Sequence, residues 1–179
     1  MSGKDNSSPR RKARLVFLVL LQVLFLCGVA GSYYAVGWFG QEIRIKTAPV
    51  DPRDLLYGDY VTLSYEISQL RPELWKEAGP VPDRGRQVFV LLKPDSGSKP
   101  VYEAVGVFAS KPSVQQGEVV LKGQVVSSWK QEIRVKYGLE KYYVPEGTGK
   151  ELEKEAGHMV VRAKVASWGQ TKIEALEPF

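Results

Sequence analysis

Two hydrophobic patterns divide the chain. From Leu15 to Phe39 the residues are apolar apart from Gln22 and Ser32, and no charged side chain occurs before Glu42. At 1.5 Å per residue such a run exceeds the ~20 residues that cross a bilayer as a helix. After it the period changes. In 61–67, Val61, Leu63, Tyr65 and Ile67 alternate with Thr62, Ser64 and Glu66, the pattern of a half-buried antiparallel strand. Shorter runs of strand character lie at 43–45, 87–92, 101–108, 118–126, 133–135, 141–144, 159–165 and 172–176. Turn residues separate several of them, and Lys93-Pro94-Asp95-Ser96-Gly97 predicts a hairpin turn. The expected architecture is mainly β within the α+β class: a single N-terminal transmembrane helix, then an antiparallel β-rich domain with short helices.

Helix signals are few and local. Thr148-Gly149-Lys150-Glu151 fits a capping box that Gly157 would close, and Pro72 and Gly79 suit the start and stop of another short helix. Asp51-Pro52-Arg53-Asp54 reads as an N-cap, a first-turn proline and an acidic third position, predicting one turn that Gly58 closes.

The two halves of the outer part repeat a sequence of features. Gln41-Glu42-Ile43-Arg44-Ile45-Lys46 returns as Gln131-Glu132-Ile133-Arg134-Val135-Lys136. Tyr57-Gly58 returns as Tyr137-Gly138, each leading into a tyrosine-bearing strand. Glu73-Leu74-Trp75-Lys76-Glu77-Ala78-Gly79 returns as Glu151-Leu152-Glu153-Lys154-Glu155-Ala156-Gly157, and Glu103-Ala104-Val105 as Glu174-Ala175-Leu176. Four matches in one order favour a duplicated unit, and hence an internal pseudo-twofold. The competing explanation is that strands and turns draw on a small residue menu. The expected layout is a basic cytoplasmic tail at 1–14, an anchor at 15–41 and an extracytoplasmic domain at 42–179, with repeat units at 42–110 and 131–179.

Charge decides between partners. The 179 residues carry a net charge of +5, but residues 1–14 hold +4 of it, so the outer part is nearly neutral. A nucleic-acid binder spreads a basic stripe over its folded surface, so no nucleic-acid partner is expected. The basic cluster before the apolar run, and Tyr33, Tyr34, Trp38 and Phe39 at its far end, instead suit a bilayer-spanning helix with its N-terminus inside. The competing reading is a cleaved signal peptide ending near Gly28-Val29-Ala30, against which the apolar run continues to Phe39. Leu26 stands before Cys27 where a lipoprotein signal would place a small residue, leaving Cys27 as an apolar packing residue.

One Cys and one His exclude a disulfide framework and an ordinary zinc site. Gly147-Thr148-Gly149-Lys150 is not a phosphate loop, because Val144 stands at the earlier glycine position and Glu151 where Ser or Thr should be. His158 follows a helix stop, where a surface role suits it better than catalysis. Asp51, Asp54 and Asp59 lack the spacing of a calcium loop. No cofactor, metal or catalytic residue is therefore assigned.

The segment Gly58-Asp59-Tyr60-Val61-Thr62-Leu63-Ser64-Tyr65 resembles, position for position, the signature of the GDYXXLXY family of membrane-anchored bacterial and archaeal proteins. The flanking 51–55 and the block 137–147 are similar to that family as well. Its members have no assigned activity and are encoded near multi-pass membrane proteins, so the resemblance implies a topology and a membrane neighbour rather than a reaction. A membrane-bound signal peptidase is a weaker likeness: the catalytic Ser with its following Met is missing after the anchor, and no matching Lys block occurs.

The motif has a structural reading and a binding reading. In the first, Gly58 and Gly138 allow tight turns, Leu63 and Tyr65 fill a core face, and Asp59 accepts turn amides or pairs with Arg53. In the second, Asp59, Tyr60, Tyr65, Tyr142, Tyr143 and Glu146 line a groove shared by the two units, where phenol rings and carboxylates suit a sugar or peptide. The resulting expectation is a membrane-anchored accessory or binding protein whose partners are the bilayer and a multi-pass membrane protein or envelope component. The alternative is an envelope hydrolase using Asp59 and Glu146 as paired carboxylates.

Overall fold

The computed structural model describes residues 9–49, 60–129, 132–144 and 156–178. Helix α1 (Pro9–Phe39) contains the apolar run, and none of its most hydrophobic window is covered by the rest of the protein. Its end is fixed by polar chemistry. The last carbonyls of a helix have no partner within it; here the Gly40 N–H donates to the Val36 carbonyl at 2.9 Å, and the Lys164 ammonium donates to the carbonyl of Gly37. A cation there also complements the negative end of the helix dipole. Gln41 opens the first strand at once, so the helix ends at Phe39, two residues before the 41 expected for the anchor.

Eleven described strands follow: β1 (Gln41–Ala48), β2 (Tyr60–Thr62), β3 (Ser64–Tyr65), β4 (Gln69–Leu70), β5 (Gln87–Pro94), β6 (Tyr102–Phe108), β7 (Val119–Trp129), β8 (Glu132–Lys136), β9 (Lys141–Tyr143), β10 (Met159–Val165) and β11 (Thr171–Pro178). They form a four-stranded sheet in the order β11-β10-β1-β3, a five-stranded sheet in the order β4-β8-β7-β5-β6 and a two-stranded ribbon of β2 and β9. Every strand-to-strand ladder is antiparallel. The predicted hairpin turn joins β5 to β6, and Asp95 organises it: one carboxylate oxygen accepts the N–H groups of Gly97 at 3.1 Å and Val101 at 3.0 Å.

The alternating residues meet in one core. Ile43 and Ile45 of β1, Val90 of β5, Leu121 of β7, Ile133 of β8 and Val161 of β10 are all buried in it, while the opposite side of the β1–β10–β11 surface carries ion pairs. Arg44 pairs with Glu177, Arg162 with Glu177 at 3.3 Å, and Lys164 with Glu174 at 3.4 Å. That one-sidedness is what a period of two produces when one face meets the core.

Three local expectations change. The 61–67 stretch keeps its alternation, with Val61, Leu63, Tyr65 and Ile67 buried, but it is not one strand. The Leu63 N–H donates to the Glu140 carbonyl at 2.9 Å, continuing the β2–β9 register, and from Ser64 the chain turns to β1, so β2 pairs with β9 while β3 pairs with β1. The helix expected from Pro72 to Gly79 is a single 3-10 turn at Pro72–Leu74. Beyond it Trp75 bridges Val107 in parallel, and the Lys76 N–H donates to the Val107 carbonyl at 3.0 Å. The open backbone groups on the edge of β6 win over a short helix whose own hydrogen bonds are few. Gly157 lies within a 3-10 turn, Ala156–His158; the capping box at 148–151 and the turn at 51–58 lie outside the described residues.

The repeated segments occupy related places. β1 seats against the β10–β11 hairpin of the other half, and its sequence counterpart β8 is joined through β7 to the β5–β6 hairpin. The tyrosine strands β2 and β9 pair with each other, Val61 opposite Tyr142. β7 has no counterpart in the four-stranded sheet, so any twofold relation is broken there.

Candidate functional site

The pairing of β2 with β9 decides which tyrosines reach solvent. Alternation places Tyr60 and Tyr143 on the outer face and Val61 and Tyr142 on the inner one. Tyr60 and Tyr143 are directly opposed, their ring centroids 6.0 Å apart at 60°, an edge-to-face pairing. The Lys141 ammonium sits 4.5 Å from the centre of the Tyr60 ring, a cation–π contact. Tyr142 packs half-buried against the core.

This ribbon stands over the β4–β8 edge of the five-stranded sheet, leaving an open groove of about 520 Å³. Tyr60 and Lys141 form one wall, and Ser68, Gln69, Arg134 and Lys136 the other. Arg134 is steadied by Glu132 at 2.6 Å. The Ser68 hydroxyl is buried beside the groove without a hydrogen-bond partner among the described residues. One aromatic ring, hydroxyls and three cations therefore converge where the binding reading anticipated phenols and carboxylates.

Glu140 lines the same groove, but its carboxylate is occupied. One oxygen accepts the Tyr137 N–H at 2.6 Å and the other the Gly138 N–H at 3.0 Å. Gly138 has φ +80°, a left-handed conformation that glycine adopts without steric cost. This is the turn-capping job expected of Asp59, performed by an acid of the second block. The signal was present in sequence as a carboxylate following Tyr-Gly, although no role was assigned to it.

Tyr65 belongs to the core and not to the groove. It is fully buried, and its hydroxyl donates to the Leu139 carbonyl at 2.6 Å. Burial first, and the Glu140 charge second, push its pKa far above the ordinary phenol range. Tyr137 does the converse: its hydroxyl donates to the Ile67 carbonyl at 2.5 Å, and the same two causes raise its pKa. Among the expected site residues, the structure brings Tyr60 and Tyr143 together, sets Tyr142 behind them and removes Tyr65. Leu63 fills the core as the structural reading required. Arg53, Gly58, Asp59 and Glu146 lie outside the described residues. Arg134, Lys141 and Ser68 were not singled out, because only the fold brings β4, β8 and β9 to one groove.

The family model for the GDYXXLXY protein matches residues 22–176. The chain belongs to the GDYXXLXY family. The match runs from within α1 almost to the end of β11, so the apolar helix and the β domain are parts of one family pattern. In this GDYXXLXY protein the signature tyrosines divide their labour: Tyr60 is at the groove, while Tyr65 is a core residue. No curated protein and no solved structure matches the chain.

Proposed function

We propose that this protein is a non-enzymatic binding or accessory module, held at the membrane by α1 with its N-terminus in the cytoplasm and its β domain outside. Its groove receives a segment of a multi-pass membrane protein or another envelope component. The observation that carries the reading is the junction at Gly40. An apolar helix whose most hydrophobic window is left bare by its own domain passes into β1 without a flexible linker, so the groove is held at a set height and orientation relative to the lipid. A tether of this kind raises the effective concentration of the domain for neighbours in the same membrane, so weak contacts suffice. The groove's Tyr60 ring, with the exposed Tyr143 paired beside it, and its cations support a ligand with apolar and acidic or hydroxylated parts.

A photocrosslinking residue at Tyr143 in the full chain, expressed in membranes, tests this. The expected result is a discrete crosslinked membrane or envelope species that weakens when Lys141→Glu and Arg134→Glu are introduced. Crosslinks confined to bulk lipid, or unaffected by those changes, would overturn the groove as the contact site. Protease added to intact cells should digest the 61–176 region; protection would overturn the orientation.

A further inference from the structure

We infer that the β10–β11 hairpin is a second membrane contact, with its tip lying in the headgroup layer of the leaflet where α1 emerges. The inference rests on the anchored reading above and adds to it a fixed two-point attachment.

Depth follows from the helix. From Leu15, where the apolar run begins, to Tyr34 is nineteen rises of 1.5 Å, about 29 Å, close to the ~30 Å hydrocarbon thickness. Tyr33 and Tyr34 then mark the outer hydrocarbon boundary, and the turn from Ala35 to Phe39 lies among headgroups. The hairpin reaches that level. Its Lys164 donates to the Gly37 carbonyl, and its Lys172 ammonium sits 4.8 Å from the centre of the Tyr33 ring. Lys164 and Lys172 are paired across the two strands.

Direction follows from the ladder. β1 runs away from the helix, and its first residue, Gln41, pairs with Val165, near the end of antiparallel β10. β10 therefore runs toward the membrane, and residues 166–170 turn on its membrane side. That turn is tightly built: the Gly169 N–H donates to the Ala166 carbonyl at 2.9 Å and the Ala166 N–H to the Gln170 carbonyl at 2.8 Å, with Gly169 at φ +93°. It projects Trp168, half exposed. Tryptophan is favoured at the membrane–water boundary because its ring is apolar and its N–H polar. The Lys111 ammonium is bonded to the Ser167 carbonyl at 2.6 Å, and the stem of Lys122 lies under Gly169. Lys111, Lys122 and Lys172 thus surround the tip, an arrangement complementary to anionic phospholipid. Glu174 beside them is paired with Lys164 at 3.4 Å.

The test uses the full chain in vesicles of phosphatidylcholine with phosphatidylglycerol as the minority lipid. Trp38, Trp75 and Trp129 are changed to Phe, leaving Trp168 as the only tryptophan. Flotation with the vesicles after alkaline carbonate treatment scores the anchor; nitroxide on lipid headgroups and iodide in solution score the hairpin. The expected result is flotation, with Trp168 emission blue-shifted, quenched by the headgroup nitroxide and shielded from iodide. A companion chain keeping only the strongly exposed Trp129 should remain open to iodide. An environment-sensitive dye on Ser167→Cys, in a Cys27→Ser chain that keeps its tryptophans, gives the same readout if the triple replacement disturbs folding. Flotation with iodide-accessible, nitroxide-silent probes would overturn the second contact alone. Failure to float would overturn the anchor and the contact with it.

Discussion

Tyr65 and Tyr137 clasp each other's backbone. Each hydroxyl donates to the carbonyl two residues beyond the other tyrosine, Tyr65 to Leu139 and Tyr137 to Ile67, at 2.6 and 2.5 Å. The two bonds tie the segment after β3 to the segment after β8, and both tyrosines are buried. This exchange holds the floor on which the β2–β9 ribbon, and so the groove, is mounted.

Removing either hydroxyl leaves a buried carbonyl unsatisfied. Tyr65→Phe and Tyr137→Phe should each lower unfolding free energy by about 1 to 3 kcal/mol, measured by urea denaturation in detergent. Unchanged stability in both would show that the clasp contributes nothing.

Alkaline pH should attack the same pair. Both folded-state pKa values are raised, by burial first and Glu140 second, whereas an unfolded tyrosine titrates near ~10. Their contribution is therefore complete below pH ~10 and declines as pH climbs above it. Urea midpoints should fall from pH ~10 upward, and the fall should be shallower in Tyr137→Phe. A wild-type midpoint that stays flat through that range would contradict the burial of the phenols.

Acid should act at a different place. The Glu118 carboxylate bonds Lys93 at 2.8 Å and accepts the Gln115 N–H at 2.9 Å, and these contacts, the lysine first, lower its pKa. A depressed carboxyl stabilises above its unfolded value near ~4.3, and that contribution is lost as pH falls toward the folded value. Glu118→Gln should flatten the acid limb of the stability profile; identical limbs would rule the pair out as a contributor.

Packing under the groove leaves no room for a methyl at Gly123. A side chain there would meet Val135 at 2.3 Å and the Lys136 carbonyl at 3.2 Å, so Gly123→Ala should cost about 1 to 3 kcal/mol by overpacking. The spectrum of the Tyr60 and Tyr143 region should move with it, because β8 forms part of the groove. Stability equal to wild type would mean that β7 and β8 adjust freely.

One buried threonine offers a further check. The Thr47 hydroxyl donates to the Met159 carbonyl and accepts the Met159 N–H, both at 2.9 Å. Thr47→Val keeps the shape but strands both groups, so a loss of about 1 to 3 kcal/mol is expected. Hydrogen exchange at Met159 should accelerate; unchanged protection there would contradict the assignment.

Much of this fold was legible locally. The apolar run from Leu15, the alternation from Val61 to Ile67 and the Asp95 hairpin depend on side-chain period and turn chemistry, which neighbours in sequence determine. The signature block at 58–65 and the match of Gln41–Lys46 with Gln131–Lys136 could also be read directly. The tyrosines could not be sorted in the same way. Tyr60 and Tyr65 look alike in the motif, yet one rims a groove and the other is sealed in the core.

Sequence alone determined that an apolar helix long enough to cross a bilayer precedes an antiparallel β body, because hydropathy and period act within a few residues. Only tertiary structure decided that the 60–65 stretch would divide between β9 and β1, that Pro72 would open one turn instead of a helix, and that Lys141 and Arg134 would share a groove. Those outcomes depend on which backbone groups lie unpaired on distant strands, and nothing within either local segment specifies that.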